Sequence, residues 1–306
     1  MVTRLGGTAQ KRQLVALGAT DYDLTVAVRQ PRVLRVRNGW YTTDFSEPHR
    51  VRAVRVGGRL TGLSAIADAG GWVANAPPLH VAVRPNAARL RSPTHRRRRL
   101  AQQHGVRLHW DDGTGGTATR VAIPDALVRV ILDEPLEDAV AAVDWAFHAG
   151  EIDPFTWEEI LLRLPLALRG IRDWVDPECD SFPESIARTR FRMLGLTVRS
   201  QVPITDASAI DLVIEDVIGL EVDGEKYHRD RFHSDRLKDL QISLEAMHAM
   251  RPSASIVFGR WAELARAVLL ALAARGRSPG AVPVVPRRGA RVRPRPRPRP
   301  RRGNSG

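Results

Sequence analysis

The run Ile210-Asp211-Leu212-Val213-Ile214 and the segment from Gly219 to His228 (Gly-Leu-Glu-Val-Asp-Gly-Glu-Lys-Tyr-His) constrain this chain more than any other stretch. Both are apolar, β-branched runs that carry acids at their ends. A strand places alternate side chains on one face, so Glu221 and Asp223 point the same way, and Asp211 meets them from the neighbouring strand. Carboxylates that converge in this way repel one another unless a cation neutralises them. Oxygen ligands with no thiolate suit Mg²⁺ or Mn²⁺ better than zinc. The pattern points to a metal-dependent site that cleaves phosphodiesters. The plainer reading is a hairpin turn at Asp223-Gly224 with ordinary strand-end charges.

The 306 residues suit two modest domains with extensions, and 43% of them are hydrophobic, enough to bury real cores. No apolar run reaches the ~20 residues of a membrane span, and the N-terminus lacks a charged-then-apolar signal pattern. The one cysteine, Cys179, excludes an internal disulfide and a cysteine-based zinc finger. The expected setting is cytoplasmic and reducing, with no membrane partner. The net charge of +13 is unevenly spread. Nine arginines lie in the last twenty residues, which contain no acid, and taking those nine away leaves +4 for the rest. The folded body is therefore only mildly basic.

Residues 1–45 are expected to form two short helices closed by a basic hairpin. Ala9 to Leu17 is the first helix candidate, ended by Gly18. Thr20-Asp21-Tyr22-Asp23 caps a second helix that carries Leu24 and Val28. Val33 to Tyr41 reads as two strands around an Asn38-Gly39 turn. This is the order of a winged helix-turn-helix, with Arg29, Arg32, Arg35 and Arg37 facing DNA phosphates; a solvated basic face is the alternative. Residues 46–150 form a mixed segment with a small-residue helix at Gly62–Gly70, strands at Leu79–Val83 and Val106–Trp110, and helices from Pro124 to Ala149. The run Arg96–Arg99 reads as a solvated loop.

Asn38-Gly39-Trp40-Tyr41, the Gly62–Ala67 helix and the His80–Val83 strand resemble the N-terminal half of AbiEi-type antitoxin-like proteins. That resemblance spans most of residues 1–150 and implies a winged-helix DNA-binding module with a companion α/β segment. Residues 151–178, with Trp157, Ile160, Leu161, Leu164, Leu168 and Ile171, read as an amphipathic helical linker interrupted by Pro165.

Residues 179–276 carry the second domain. A helix opens at Ser181-Phe182-Pro183-Glu184 and stops at Gly195. Strands are expected at Thr197–Val202, Ile210–Ile214 and Val217–Asp223, then a helix from Asp230 to Met250, a strand at Ala254–Phe258 and a helix from Trp261 to Ala274. The fold class is α/β (α+β), with the order αβββαβα in this domain. Glu184-Ser185, Arg188, Asp211, Glu221-Val222-Asp223-Gly224, His228 and Asp235-Arg236 resemble the very-short-patch-repair endonuclease-like branch of the PD-(D/E)XK nuclease superfamily, a restriction-endonuclease-like fold. The resemblance implies Mg²⁺- or Mn²⁺-dependent hydrolysis of nucleic-acid phosphodiesters, with Asp211 and Glu221 as metal ligands and Glu184 assisting metal or water.

Arg188 or Lys226 would offset charge on the phosphorane, Arg236 would support the site, and His228 would move a proton or contact a phosphate. The superfamily's usual lysine, two residues after the second acid, is replaced here by Asp223. This leaves the general base open. Two rival readings attach to particular residues: Ser181-x-x-Glu184 as a helix capping box, and Arg231, Asp235 and Asp239 as surface ion pairs. The Arg-Pro alternation from Arg293 to Arg301 predicts an extended, disordered tail over 277–306, with DNA or RNA contacts that weaken in salt. The expected function is a DNA endonuclease (a hydrolase) delivered by an N-terminal DNA-binding module. The alternative is a catalytically inactive transcriptional regulator of toxin–antitoxin type.

Overall fold

Residues 1–74, 77–111, 113, 115–205, 208–223, 240–244 and 247–277 are described by a computed structural model. They form a mixed α/β molecule with three small sheets. Among them no helix is long and apolar enough to cross a membrane.

The N-terminal unit runs β1 (Thr8–Gln10), α1 (Lys11–Ala16), α2 (Asp21–Arg29), β2 (Leu34–Arg37) and β3 (Trp40–Thr42). Thr20 starts α2 with a capping box: its Oγ1 accepts from the Asp23 N–H at 3.1 Å and its own N–H donates to Asp23 Oδ2 at 2.9 Å. Asn38-Gly39 turns β2 into β3, and Gly39 takes the positive φ that this turn requires. Strand β1 was not expected. Ala9 and Gln10 pair with Tyr41 and Trp40, so α1 begins later than the apolar spacing suggested. Leu14, Leu24, Val33 and Tyr41 fill the core between helices and sheet.

The middle unit comprises α3 (His49–Val56), β4 (Arg59–Leu60), α4 (Gly62–Asp68), β5 (Leu79–Ala82), β6 (Val106–His109), α5 (Ile123–Asp133) and α6 (Leu136–His148), with sheet order β4-β5-β6. Residues 151–178, expected as a linker, pack their apolar stripe into this unit, and the Trp174 carbonyl near their end also accepts from Arg188 of the next unit. They form α7 (Pro154–Arg163) and a 3-10 stretch, Leu166–Trp174. Trp157, Ile160, Leu161, Leu164, Leu168, Ile171 and Trp174 are all buried in one cluster with Leu127, Val143 and Trp145. Every apolar residue of the supposed linker stripe has found a partner on this one side.

Two histidines lie inside the same unit. His80 on β5 and His109 on β6 stack with ring centroids 5.2 Å apart. Burial, reinforced by nearby arginines, pushes His80 down to about 4 and His109 down to about 3. Both are therefore neutral in the fold at pH values where the unfolded chain has protonated them. The folded pKa values lie below the unfolded value of 6.5, so stability is retained above that pH and lost as the pH falls toward 4 and 3. Chemical denaturation between pH 7 and 4 should show a loss approaching about 1.4 kcal/mol per pH unit for each histidine. The slope should shrink in His109→Asn. An unchanged slope would mean that other groups dominate acid unfolding.

The C-terminal unit contains α8 (Phe182–Met193), β7 (Val198–Thr205), β8 (Ser208–Ile214), β9 (Ile218–Leu220) and β10 (His248–Met250) in sheet order β10-β9-β8-β7. β7 and β9 each pair antiparallel with β8, and β10 lies parallel to β9. Ile186, Ala187 and Phe191 of α8, with Leu264, Val268 and Leu272 of the last helix (Trp261–Ala273), cover one side through Leu212, Ile214, Ile218 and Leu220. Ile242, within the helical residues 240–244, packs on Ile210 and Val213. Gly219 makes this approach feasible, because a Cβ there would lie 2.6 Å from Ile242 Cγ2.

Two expectations are corrected here. Residues 248–250 form a strand where the long helix was to continue, and 254–258, expected as a strand, lie in a helix, Ala254–Gly259. A five-residue apolar run has no decisive period, and Pro252 with Ser253 starts a helix as readily as it ends a turn. Residues 224–239, which hold the start of the expected helix, and the tail from 278 onward lie outside the described residues.

Candidate active site

Strands β8 and β9 separate just where their acids stand. The pairing Ile214 to Ile218, Val213 to Gly219 and Leu212 to Leu220 would next bring Asp211 opposite Glu221. There side chains replace the ladder. The Asp211 N–H donates to Glu221 Oε1 at 3.2 Å, and the Val222 N–H donates to Asp211 Oδ2 at 2.8 Å. Each carboxylate thus reaches across to the other strand, and the two acids occupy one gap. Glu221 is buried, with its own N–H bound to the Met250 carbonyl at 2.9 Å.

Glu184 approaches from α8. Its Oε1 accepts from Ser181 Oγ at 2.5 Å, and Ser181 Oγ accepts from the Glu184 N–H at 3.4 Å, so Ser181 caps the helix and Glu184 bonds its hydroxyl. This does not exhaust the residue. Glu184 Oε2 accepts from Gln201 Nε2 at 3.1 Å. Burial pushes the Glu184 carboxyl upward, opposed by the Ser181 and Gln201 bonds.

Gln201 is a residue that the sequence reading missed. It lies in β7 between the pairs Ser200–Leu212 and Val202–Ile210, beside Asp211 of β8. Its φ is 47°, in the left-handed region that a glutamine within a strand rarely adopts. Strain of this kind persists only where surrounding contacts enforce it, and it concentrates at functional sites. Gln201→Gly keeps the backbone shape while removing the amide. It should leave thermal stability nearly unchanged and weaken divalent-ion binding or cleavage by about 10–100-fold, as supporting partners of a metal site do. Mn²⁺ titration by calorimetry measures it, and equal affinity in both proteins would reduce Gln201 to a structural oddity.

Asp223 leaves the gap on the other side. Its N–H and carbonyl bond to Pro252 and Ala254, and its Oδ1 accepts from Arg251 Nη1 at 3.1 Å. A guanidinium from the segment after β10 therefore stands beside Asp223. The sequence carried no signal for it, since Arg251 is remote along the chain.

Arg188 is corrected. It does not face the acids as a phosphate-binding cation. Its Nη2 donates to Asp144 Oδ2 at 2.6 Å and its Nη1 to the Trp174 carbonyl at 2.7 Å, with both side chains buried. Asp144 also accepts from Ser185 Oγ at 2.5 Å and from the Asp176 N–H at 2.8 Å. This cluster fastens α8 to α6.

Of the four N-terminal arginines, Arg29, Arg32 and Arg35 are exposed. Arg37 is not free to meet DNA through its whole guanidinium: Nη1 donates to the Val56 carbonyl at 2.9 Å, and Nη2 to that of Arg89 at 3.4 Å. Lys226, His228 and Arg236 lie outside the described residues, as do Arg231, Asp235 and Asp239. Among the described residues no group of three or more His, Cys, Asp or Glu side chains is arranged to hold a metal ion. The acids brought together are the pair Asp211 and Glu221, with Glu184 joined to their neighbourhood through Gln201. No protein-family model matches the chain, and no curated protein matches it.

Proposed function

We propose that the protein is a divalent-metal-dependent endonuclease that hydrolyses DNA phosphodiester bonds, with residues 1–45 acting as a winged-helix DNA-binding module. The observation that carries this reading is the meeting of Asp211 and Glu221 across the parted ends of β8 and β9. Two carboxylates with an all-oxygen donor set fit Mg²⁺ or Mn²⁺, which commonly keeps several waters and takes only one or two protein carboxylates. When bound, the ion would neutralise charge on the scissile phosphate and acidify a water molecule.

The protein's own groups then have distinct tasks. Asp211 and Glu221 would hold the ion. Glu184, kept in place by Ser181 and Gln201, would orient water. Its upward-shifted carboxyl is a better proton acceptor than an ordinary glutamate. Arg251, oriented by Asp223, would offset the charge that develops on the phosphate oxygens.

A second reading draws on the same Asp223–Arg251 pair. An acid at the usual lysine position, already engaged by an arginine, fits a DNA-binding regulator of toxin–antitoxin type that has lost cleavage. Plasmid nicking in Mg²⁺ and Mn²⁺, with Glu221→Ala as the comparison, separates the two. Nicking by the wild type alone supports the nuclease. Retained DNA binding with no nicking in either protein supports the regulator.

A further inference from the structure

Two adjoining cavities of about 700 Å³ and 610 Å³ flank Trp40 and share Gln10, Arg12 and Trp40 in their walls. Together they make a groove that runs from the Asn38-Gly39 turn across the junction of the N-terminal and middle units. Arg37, Arg59 and Arg84 line its inner part, and Lys11 its outer part. The described lining holds no carboxylate.

The groove is built and not merely left over. Arg37 lies flat on the chain at Gly57, where a Cβ would stand 1.9 Å from its Nη1, and Gly57 has a φ of 123°. Burial, with Arg91 close by, lowers the affinity of Arg37 for its proton, and the Val56 and Arg89 carbonyls hold its guanidinium at the groove floor. Trp40 is half-buried, with Val36, Val51 and Val54 behind it, and lines both cavities. An aromatic face among phosphate-binding cations is the combination that holds single-stranded nucleic acid. Bases stack on the ring and the backbone follows the charge. A duplex, with its bases already stacked on one another, makes no use of the ring.

We infer that this groove binds a single strand of nucleic acid, with one base stacked on Trp40 and phosphates on Arg12 and Arg84. This rests on the nucleic-acid half of the proposal above and differs from it in place, since Arg29, Arg32 and Arg35 line neither cavity.

The test uses the full chain in chelator, so that nothing is cut, and a short fluorescein-labelled oligodeoxythymidylate. Arg12 and Arg84 are exposed, so their reversal spares the core. Arg12→Glu with Arg84→Glu should weaken single-strand binding more than tenfold and flatten its salt dependence. Duplex binding should change far less. Trp40→Ala should cost about tenfold, the size of one lost base–aromatic stack. The arginine-rich tail is common to all the variants and cancels in these comparisons.

Photocrosslinking with an iodouracil-substituted strand, read by peptide mapping, should mark residues 38–42. Crosslinks confined to 278–306, or a less than twofold effect of the double reversal, would overturn the inference. Should that happen while the wild type still nicks plasmid in Mg²⁺, the nuclease reading stands and only the groove fails. A strand held at Trp40 by a protein that cuts nothing would leave the groove standing and remove the nuclease.

Discussion

Glu221→Gln is expected to be more stable than the wild type in chelator and to lose nicking activity by more than about a hundredfold, beyond the loss typical of groups that merely support a metal ligand. Both effects have one source. Asp211 and Glu221 share a single gap and repel each other there in the absence of a cation. A neutral amide relieves the repulsion and still accepts the Asp211 N–H through its oxygen. Mg²⁺ at a hundred times its dissociation constant should stabilise the wild type by about 2.7 kcal/mol and the variant hardly at all. Denaturation curves with and without Mg²⁺ read both quantities. If the ion shifts the two proteins equally, it binds elsewhere, and Glu221 is a buried strand-end acid held by its backbone partner.

The second large effect concerns stability. Arg188→Met should destabilise the fold by about 3–5 kcal/mol near neutral pH, because it leaves the fully buried Asp144 without its counter-charge. The loss should depend on pH. Burial pushes Asp144 up to about 6, with Arg188 pulling the other way. The folded value lies above the unfolded one, so the contribution of Asp144 is fully present below about 4 and is lost as the pH rises through 6. Removing Arg188 raises the folded value further. The variant should therefore be closer to the wild type at pH 5 than at pH 8. Adding Asp144→Asn should recover much of the loss. Urea titrations at the two pH values test this, and a cost below about 1 kcal/mol at pH 8 would show that the pair holds nothing together.

The strands that carry the acids were legible because their β-branched runs fix a period of two and Asp211 interrupts one of them. The capping signature at Ser181 placed α8 within a residue, and Asn38-Gly39 placed the hairpin. What escaped the sequence was of another kind. Asp144 lies in a different helix from Arg188, and nothing local distinguishes a buried arginine from one facing phosphate. Gln201 adopts a backbone conformation that its residue type disfavours, so pattern reading argues against it. Arg251 and Asp223 meet only because β10 lies beside β9. The exchange of strand and helix between 248 and 259 arose because two short apolar runs follow each other, and only the parallel pairing of His248–Met250 with Ile218–Leu220 decides between them.

Helix α6 belongs to two cores at once. Val140, Val143 and Trp145 serve the middle unit, while Ala141 packs with the C-terminal one. On the same helix Asp144 holds Arg188, and Glu137 takes both ends of the Arg190 guanidinium at 2.6 and 3.0 Å. A cutting domain on a loose tether samples many positions along its target and scatters its cuts. Under the nuclease proposal, a C-terminal unit bolted to the middle unit through a shared helix would work as a caliper, its reach set by the protein and not by the length of a leash.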